Sequence, residues 1–483
     1  MSRNKRRKKH RSFDNAVSAN IATAEPPKIE THRRVPMSEV LSALSYALDM
    51  TEGQPKGHSV RSCMIGMRIG RAAGLDTSEM AELYYALLLK DAGCSANASR
   101  IASLFGSDDQ YVKPRLKSVN WDDRRRLAIE TWRSMAKGKS VWSRVRHYFR
   151  LAKQPAVTQE LIASRCERGG SIARRLGFPE GTALAIQSLD EHWNGKGHPQ
   201  GLEGEGIPRL SRIMNLAQTV EVFLWNDERE AAIEILRARS GSWFDPALAD
   251  MARDAMFDDE FCDAVRAPDA DHRVLELEPA GRTRDVDDAG LDQIAEAFAD
   301  IIDAKSPFTY KHSTMVASHA RATAAQMGFA PDQVRRMYRA GLLHDIGKLG
   351  VSSQILDKPG PLNRLERAEM KEHPRYTWEI LRRVRAFEDF AMLASLHHEK
   401  LDGSGYPWGR AADELDMSAR ILVVADIYQA VTESRSYRVG LTYAEAMQIL
   451  RSQTEIRLDA DAVEALAAAV AENPAHEEIP TSL

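Results

Sequence analysis

His344 and Asp345 are adjacent in the run Gly341-Leu342-Leu343-His344-Asp345-Ile346-Gly347-Lys348, and the pair His397-His398 repeats that adjacency downstream. Neighbours on a helix point about 100° apart, so both reach a metal only from a helix end or beside a metal pair. Neutral imidazole and carboxylate suit iron, manganese or zinc. His312, His373 and Asp426 bring the candidate ligands to seven, more than one octahedral ion uses, which implies two divalent ions. Two such ions about 3.5–4 Å apart can hold a bridging hydroxide and clamp both oxygens of an in-line phosphoryl displacement.

Lys348 lies one turn after His344, where its ammonium can neutralise a non-bridging phosphate oxygen, and Gly347 lets a substrate come close. Arg435 and Arg438 follow Asp426 by 9 and 12 residues, and guanidinium forks suit phosphate. Gly403-Ser404-Gly405-Tyr406-Pro407 is a turn sequence able to fold over a ligand. Each piece alone has a bland explanation: a core histidine, a tight turn, a solvated arginine pair. The ordered set does not.

These residues need a scaffold, and the chain supplies it twice. At an offset of 254, His58-Ser59 meets His312-Ser313, and Gly74, Tyr84, Asp91, Gly93 and Ile101 meet Gly328, Tyr338, Asp345, Gly347 and Ile355. At an offset of 208, Gly195-Lys196-Gly197-His198-Pro199 meets Gly403-Ser404-Gly405-Tyr406-Pro407, and Arg212-Ile213 meets Arg420-Ile421. At 214, Ile235-Leu236-Arg237 meets Ile449-Leu450-Arg451. A duplicated domain follows, with copies at residues 37–266 and 291–475, a polar linker at 267–290, a basic tail at 1–36 and a short tail at 476–483. The first copy carries 46 extra residues, centred on an insertion at about 105–150 that is rich in Trp and Arg, and lacks six residues after Glu221.

Ile294, Phe298, Ile301 and Ile302 recur at helical spacing, as do Val334, Met337, Gly341 and Leu342. No stretch alternates with period two over several strands, so the expected fold is all-α, with two tandem helical bundles. The 483 residues exceed one ordinary core. A net charge of -3 argues against wholesale nucleic-acid binding. The exception is the tail, where Arg3, Lys5, Arg6, Arg7, Lys8, Lys9 and Arg11 form a disordered block or an electrostatic tether. Four scattered cysteines read as thiols in a reducing compartment, and no apolar run nears the roughly 20 residues of a membrane helix. A cytoplasmic location is expected.

The stretches "HDIGKLGV", "KEHP", "HHEKLDGSGYP" and "ARILVVADIYQAVTESRSYR" make the second copy resemble the HD-GYP branch of the HD phosphohydrolase superfamily. The resemblance implies a helical bundle with a two- or three-metal centre, commonly iron or manganese. It also implies hydrolysis of bacterial cyclic dinucleotides, chiefly cyclic di-GMP, to the linear form or to GMP. By match, His312, His344, Asp345, His373, His397, His398 and Asp426 would be metal ligands, with Asp345 and Lys348 catalytic. Lys348, Gly405, Tyr406, Pro407, Arg435 and Arg438 would bind substrate. Phe308 stands where some members have a third-metal glutamate, so two ions are expected. Gln429 and Ser436 depart from the usual Asp and Pro near the substrate loop. Base preference is not legible. A cyclic-dinucleotide receptor with little turnover and an HD nucleotidase of other specificity are the competing readings.

The first copy keeps His58 and Asp91 but has Lys90 for His344, Cys94 for Lys348, Arg165 for His373, Leu189 and Asp190 for His397 and His398, and Gln218 for Asp426. Two ligands of seven cannot hold a metal pair, and Lys90 would repel one. This copy is expected to be a packing or dimerisation module, or a partner-binding sensor, with the insertion as an amphipathic cover over the vacated pocket.

Overall fold

The computed structural model describes residues 34–119, 123–137, 140–152, 156–226, 228–307, 311–434, 439–454 and 456–472. Phe308, Arg435, Ser436, Arg438, Trp121, nearly all of the basic tail and the C-terminal tail lie outside these residues.

Helices form where apolar spacing and end chemistry agree. In Asp288–Asp303, Leu291, Ile294, Phe298, Ile301 and Ile302 are buried, and the Asp287 carboxylate caps the first turn by accepting from the Gly290 N–H. Thr77–Leu89 begins with a reciprocal capping box between Asp76 and Glu79. The apolar run Ile421 to Ala425 lies inside the helix Met417–Thr432. Among the described residues the extended structure is one short antiparallel pair, Val35–Pro36 on Asp285–Val286, and isolated bridges. The all-α expectation holds.

The duplication is visible helix by helix. Met37–Thr51, His58–Ala72 and Thr77–Leu89 of the first copy correspond to Asp288–Asp303, His312–Gln326 and Pro331–Leu343 of the second. Ala156–Arg175, Glu180–Gln187 and Arg209–Trp225 correspond to His373–Leu381, Glu388–Ser395 and Met417–Thr432. The same hydrogen bonds recur at the same offset: Ser59 donates N–H and Oγ–H to Asp49, and Ser313 does so to Asp303.

The copies are not separate bodies. Residues from Val35 onward form one compact unit, and one apolar core runs through both copies, with Leu41, Leu44, Tyr84 and Ile213 in the same cluster as Phe298, Leu342, Phe390 and Ile421. The stretch expected as a free linker is partly structured. Residues Ala270–Leu275 form a helix with Val274 buried, and Asp285–Val286 pairs back on the start of the first copy. Its polar composition hid this because so short a helix needs few apolar anchors.

The insertion folds as three helices, Asp109–Ser118, Arg124–Ser134 and Val141–Ala152, over a small apolar cluster of Leu104, Phe105, Val112, Met135, Val157 and Leu161. The first of them touches both copies. Lys113 and Lys117 reach Glu52, while Asp109 accepts the Ser353 N–H at 3.1 Å and Gln110 donates to the Leu349 carbonyl at 3.3 Å. No helix among the described residues is long and apolar enough to cross a membrane.

Candidate metal centre

All seven candidate ligands of the second copy converge, six of them at helix ends or in the turns that follow. His312 and His373 open their helices, and His344 closes Pro331–Leu343 with Asp345 just beyond it. His397 and His398 follow Glu388–Ser395, and Asp426 projects from within Met417–Thr432. Adjacent residues point to a common centre because the helix has ended between or just before them. The close approach depends on Gly347, where a Cβ would fall 1.9 Å from the His373 carbonyl oxygen.

Asp345 sits at the middle with its two oxygens facing different groups. Oδ1 lies 3.3 Å from His373 Nε2 and 3.6 Å from His397 Nε2. Oδ2 lies 3.2 Å from His344 Nε2, 3.7 Å from His312 Nε2 and 2.5 Å from Lys348 Nζ. Asp426 meets His312 at 3.3 Å through Oδ1 and His398 at 3.5 Å through Oδ2. Two donor groups result, His312–His344–Asp426 and His373–His397–His398, with Asp345 between them.

The imidazoles are fixed in the tautomer a metal needs. Nδ1 of His344, His373 and His397 faces the carbonyl three residues earlier, of Gly341, Met370 and Ala394, at 2.7, 2.7 and 2.8 Å. A carbonyl can only accept, so each Nδ1 carries a proton, and as a metal ligand each ring would present its Nε2 lone pair inward. His373 Nε2 and His397 Nε2 then face each other at 3.0 Å. Two lone pairs that close repel unless a cation lies against both. His344 Nε2 and Asp345 Oδ1 are buried and make no hydrogen bond among the described residues. These residues fit a divalent ion in each group.

Electrostatics favour the ligand forms of His373, His398, Asp345 and Asp426 and oppose that of His312. Burial pushes His373 down to about 4 and His398 well below the usual imidazole range, which keeps both neutral. Burial opposes ionisation of Asp345, but His344 and Lys348 outweigh it and hold the carboxyl well below its ordinary value. Asp426 is likewise held down, chiefly by its hydrogen bond with His312, against the effect of burial. The exception is His312, where burial is overcome by Asp426 and Glu433 and the ring is pushed up to about 9 in the metal-free chain.

Tyr406 stands beside the centre, its ring 4.7 Å from that of His398. The loop that carries it wraps a buried carboxylate, as Glu399 accepts the N–H groups of Trp408, Gly409 and Arg410 at 2.8, 3.1 and 2.9 Å. Gly405 packs against that glutamate's backbone, with a Cβ placed 2.4 Å from Glu399 Cα. The Tyr406–Pro407 bond is cis. Glu399 and Glu433 escaped the sequence reading. Glu399 has a signal there, since Glu191 repeats it at offset 208, and Glu433 follows Asp426 by two helical turns.

The first copy keeps this skeleton. Gly93 packs on the Arg165 carbonyl at 1.9 Å from its virtual Cβ, and Glu191 accepts from Gln200, Gly201 and Leu202 at 2.6, 3.2 and 3.0 Å. Its centre is different. Lys90 donates to Asp91, Lys117 lies 2.5 Å from Glu52 and 3.5 Å from Asp91, and Arg165 pairs with Asp190.

The HD domain family matches residues 153–248 and 296–462, segments that lie in both copies. The chain belongs to this family. The 3′3′-cGAMP-specific phosphodiesterase 3 of Vibrio cholerae is 41% identical over 432 residues, covering 89% of this chain and 94% of its own. A crystal structure described as a cyclic GMP-AMP specific phosphodiesterase of V. cholerae superposes with a TM-score of 0.63 at 38% identity, over 92% of this chain and 100% of that one. The cyclic di-GMP phosphodiesterase PA4108 of Pseudomonas aeruginosa is 39% identical over 142 residues, covering 29% of this chain and 34% of its own.

Proposed function

We propose that the second copy hydrolyses 3′3′-cyclic GMP-AMP at a pair of iron or manganese ions. The chain is a metal-dependent phosphohydrolase of the HD-GYP type, acting on a cyclic dinucleotide. The observation that carries the site assignment is Asp345, one carboxylate divided between two groups of inward-facing imidazoles. The preference for the mixed dinucleotide rests on the V. cholerae relative, which spans both copies and is named for that substrate. Cyclic di-GMP, the substrate expected from sequence, is the close alternative.

His312, His344, Asp426 and Asp345 Oδ2 would hold one ion, and His373, His397, His398 and Asp345 Oδ1 the other. Bound there, the ions would activate water and stabilise charge on phosphorus. Lys348, which touches Asp345 and is part-exposed, meets a non-bridging oxygen and holds negative charge as it develops. Tyr406 and Pro407, with Gly405 fixing their loop, line the side of the centre next to His398. Arg435 and Arg438 are assigned to the distal phosphate by motif. Breaking one phosphodiester leaves a linear dinucleotide with a 5′-phosphate. All four cysteines are buried free thiols, which suits the reducing cytoplasm.

The test is anaerobic purification, metal analysis and incubation with each cyclic dinucleotide, followed by chromatography. About two ions per chain and faster loss of cyclic GMP-AMP are expected. Faster loss of cyclic di-GMP would overturn the base assignment alone. Two bound ions with both substrates intact would overturn the enzyme.

A further inference from the structure

The insertion turns its largest apolar side chains outward. In the helix Val141–Ala152, Val141, Trp142 and Phe149 are 69%, 83% and 60% exposed, and Val145 is part-exposed. At about 100° per residue, Val141, Val145, Phe149 and Trp142 form one unbroken strip along the helix. Arg146 and Arg150, both exposed, continue around its edge.

This orientation is fixed from beneath. His147 is buried and its Nδ1 donates to the Leu104 carbonyl at 2.9 Å. Arg144 Nε donates to the Met135 carbonyl at 3.1 Å, and the Tyr148 ring meets Trp132 edge-on at 5.7 Å. A polar histidine therefore goes in while a tryptophan and a phenylalanine stay out. The surroundings are basic: residues 121–152 hold nine Arg and Lys against three Asp and Glu, in a chain whose net charge is -3.

We propose that this helix docks the protein on an anionic lipid surface. The Val141–Val145–Phe149–Trp142 strip enters the headgroup boundary, and Arg146 and Arg150 meet lipid phosphates. A continuous apolar strip bordered by arginines is what an interfacial helix needs, with the tryptophan ring at headgroup depth. A nucleic-acid surface would instead spread its cations along the backbone track and separate its aromatic platforms. Peripheral docking of this kind requires no spanning helix.

The test is co-sedimentation of the full chain with vesicles of phosphatidylcholine, alone or with phosphatidylglycerol. Binding to the anionic vesicles only, weakened by salt, is expected. The double variant Trp142→Asp/Phe149→Asp should lose most of it, and Arg146→Glu/Arg150→Glu should lower partitioning by about tenfold or more. Phosphodiesterase activity free in solution should stay unchanged in both, which also reports that they fold. No sedimentation, or equal sedimentation of the variants, would overturn the proposal. So would variants that keep vesicle binding but lose self-association by ultracentrifugation or retention on single-stranded RNA.

Discussion

At the centre of the second copy, Asp345 divides its oxygens between two sets of imidazoles, with Lys348 on one of them. At the same place in the first copy, Asp91 meets Lys90 and Lys117, and Arg165 stands where His373 would be. Both centres bury carboxylates, and a buried carboxylate needs a positive partner. In the second copy Lys348 meets one oxygen of Asp345, and the rest of that charge would fall to a divalent cation at the proposed site. The first has its positive partners built in as ammonium and guanidinium groups, two of them, Lys113 and Lys117, brought by the inserted helix. The inserted helix thus lies against the first copy's centre and brings it positive charge. The scaffold is common to both because glycine contacts and buried glutamates hold it, and both copies keep them.

The comparison breaks most sharply on the paired aspartates. Asp345→Ala should lower turnover by about 10³-fold or more and reduce bound metal, read by hydrolysis and metal analysis. Asp91→Ala should leave metal content alone and instead destabilise the fold by about 3–5 kcal/mol, because Lys90 is left buried without its partner. A chemical denaturation series distinguishes the two.

Lys348→Ala should cost about 10²-fold in kcat with metal content unchanged, since the ammonium acts on substrate charge. Loss of metal in that variant would make Lys348 part of the ion site.

Glu433 carries a pH signature. It lies 3.7 Å from His312 Nδ1 and helps hold that ring protonated up to about 9 when no metal is present. A ligand must be neutral, so metal uptake at pH 7.5 should expel a proton from His312, whereas His373, held at about 4, has none to lose. Affinity at this ion should rise as pH climbs toward 9. Glu433→Gln should lessen the proton release measured in weak buffer and change metal affinity by about tenfold.

The smallest effect tests the contact between copies. Asp109 accepts the Ser353 N–H behind the turn that bears Lys348. Asp109→Ala should lower kcat about threefold with metal retained, while Asp109→Asn, which keeps an acceptor, should restore most of it. Equal behaviour of both variants would remove the hydrogen bond from the account.

Sequence alone determined the all-α class, the duplication, the seven candidate ligands and the loss of five of them in the first copy. It could do so because ligand chemistry demands particular residue types, and because helix periodicity and repeat offsets are properties of the chain itself. Three things waited for the tertiary structure. Asp345 lies between two donor groups because the turn after Pro331–Leu343 meets the start of His373–Leu381 at Gly347, a closeness no spacing encodes. Glu433 and Glu399 are ordinary glutamates until packing sets one, half-buried, beside His312 and folds the Tyr406 loop around the other. The two copies share one core, and the insertion reaches from the first copy's centre to the turn that bears Lys348, because long-range burial, not local pattern, decides which apolar faces meet.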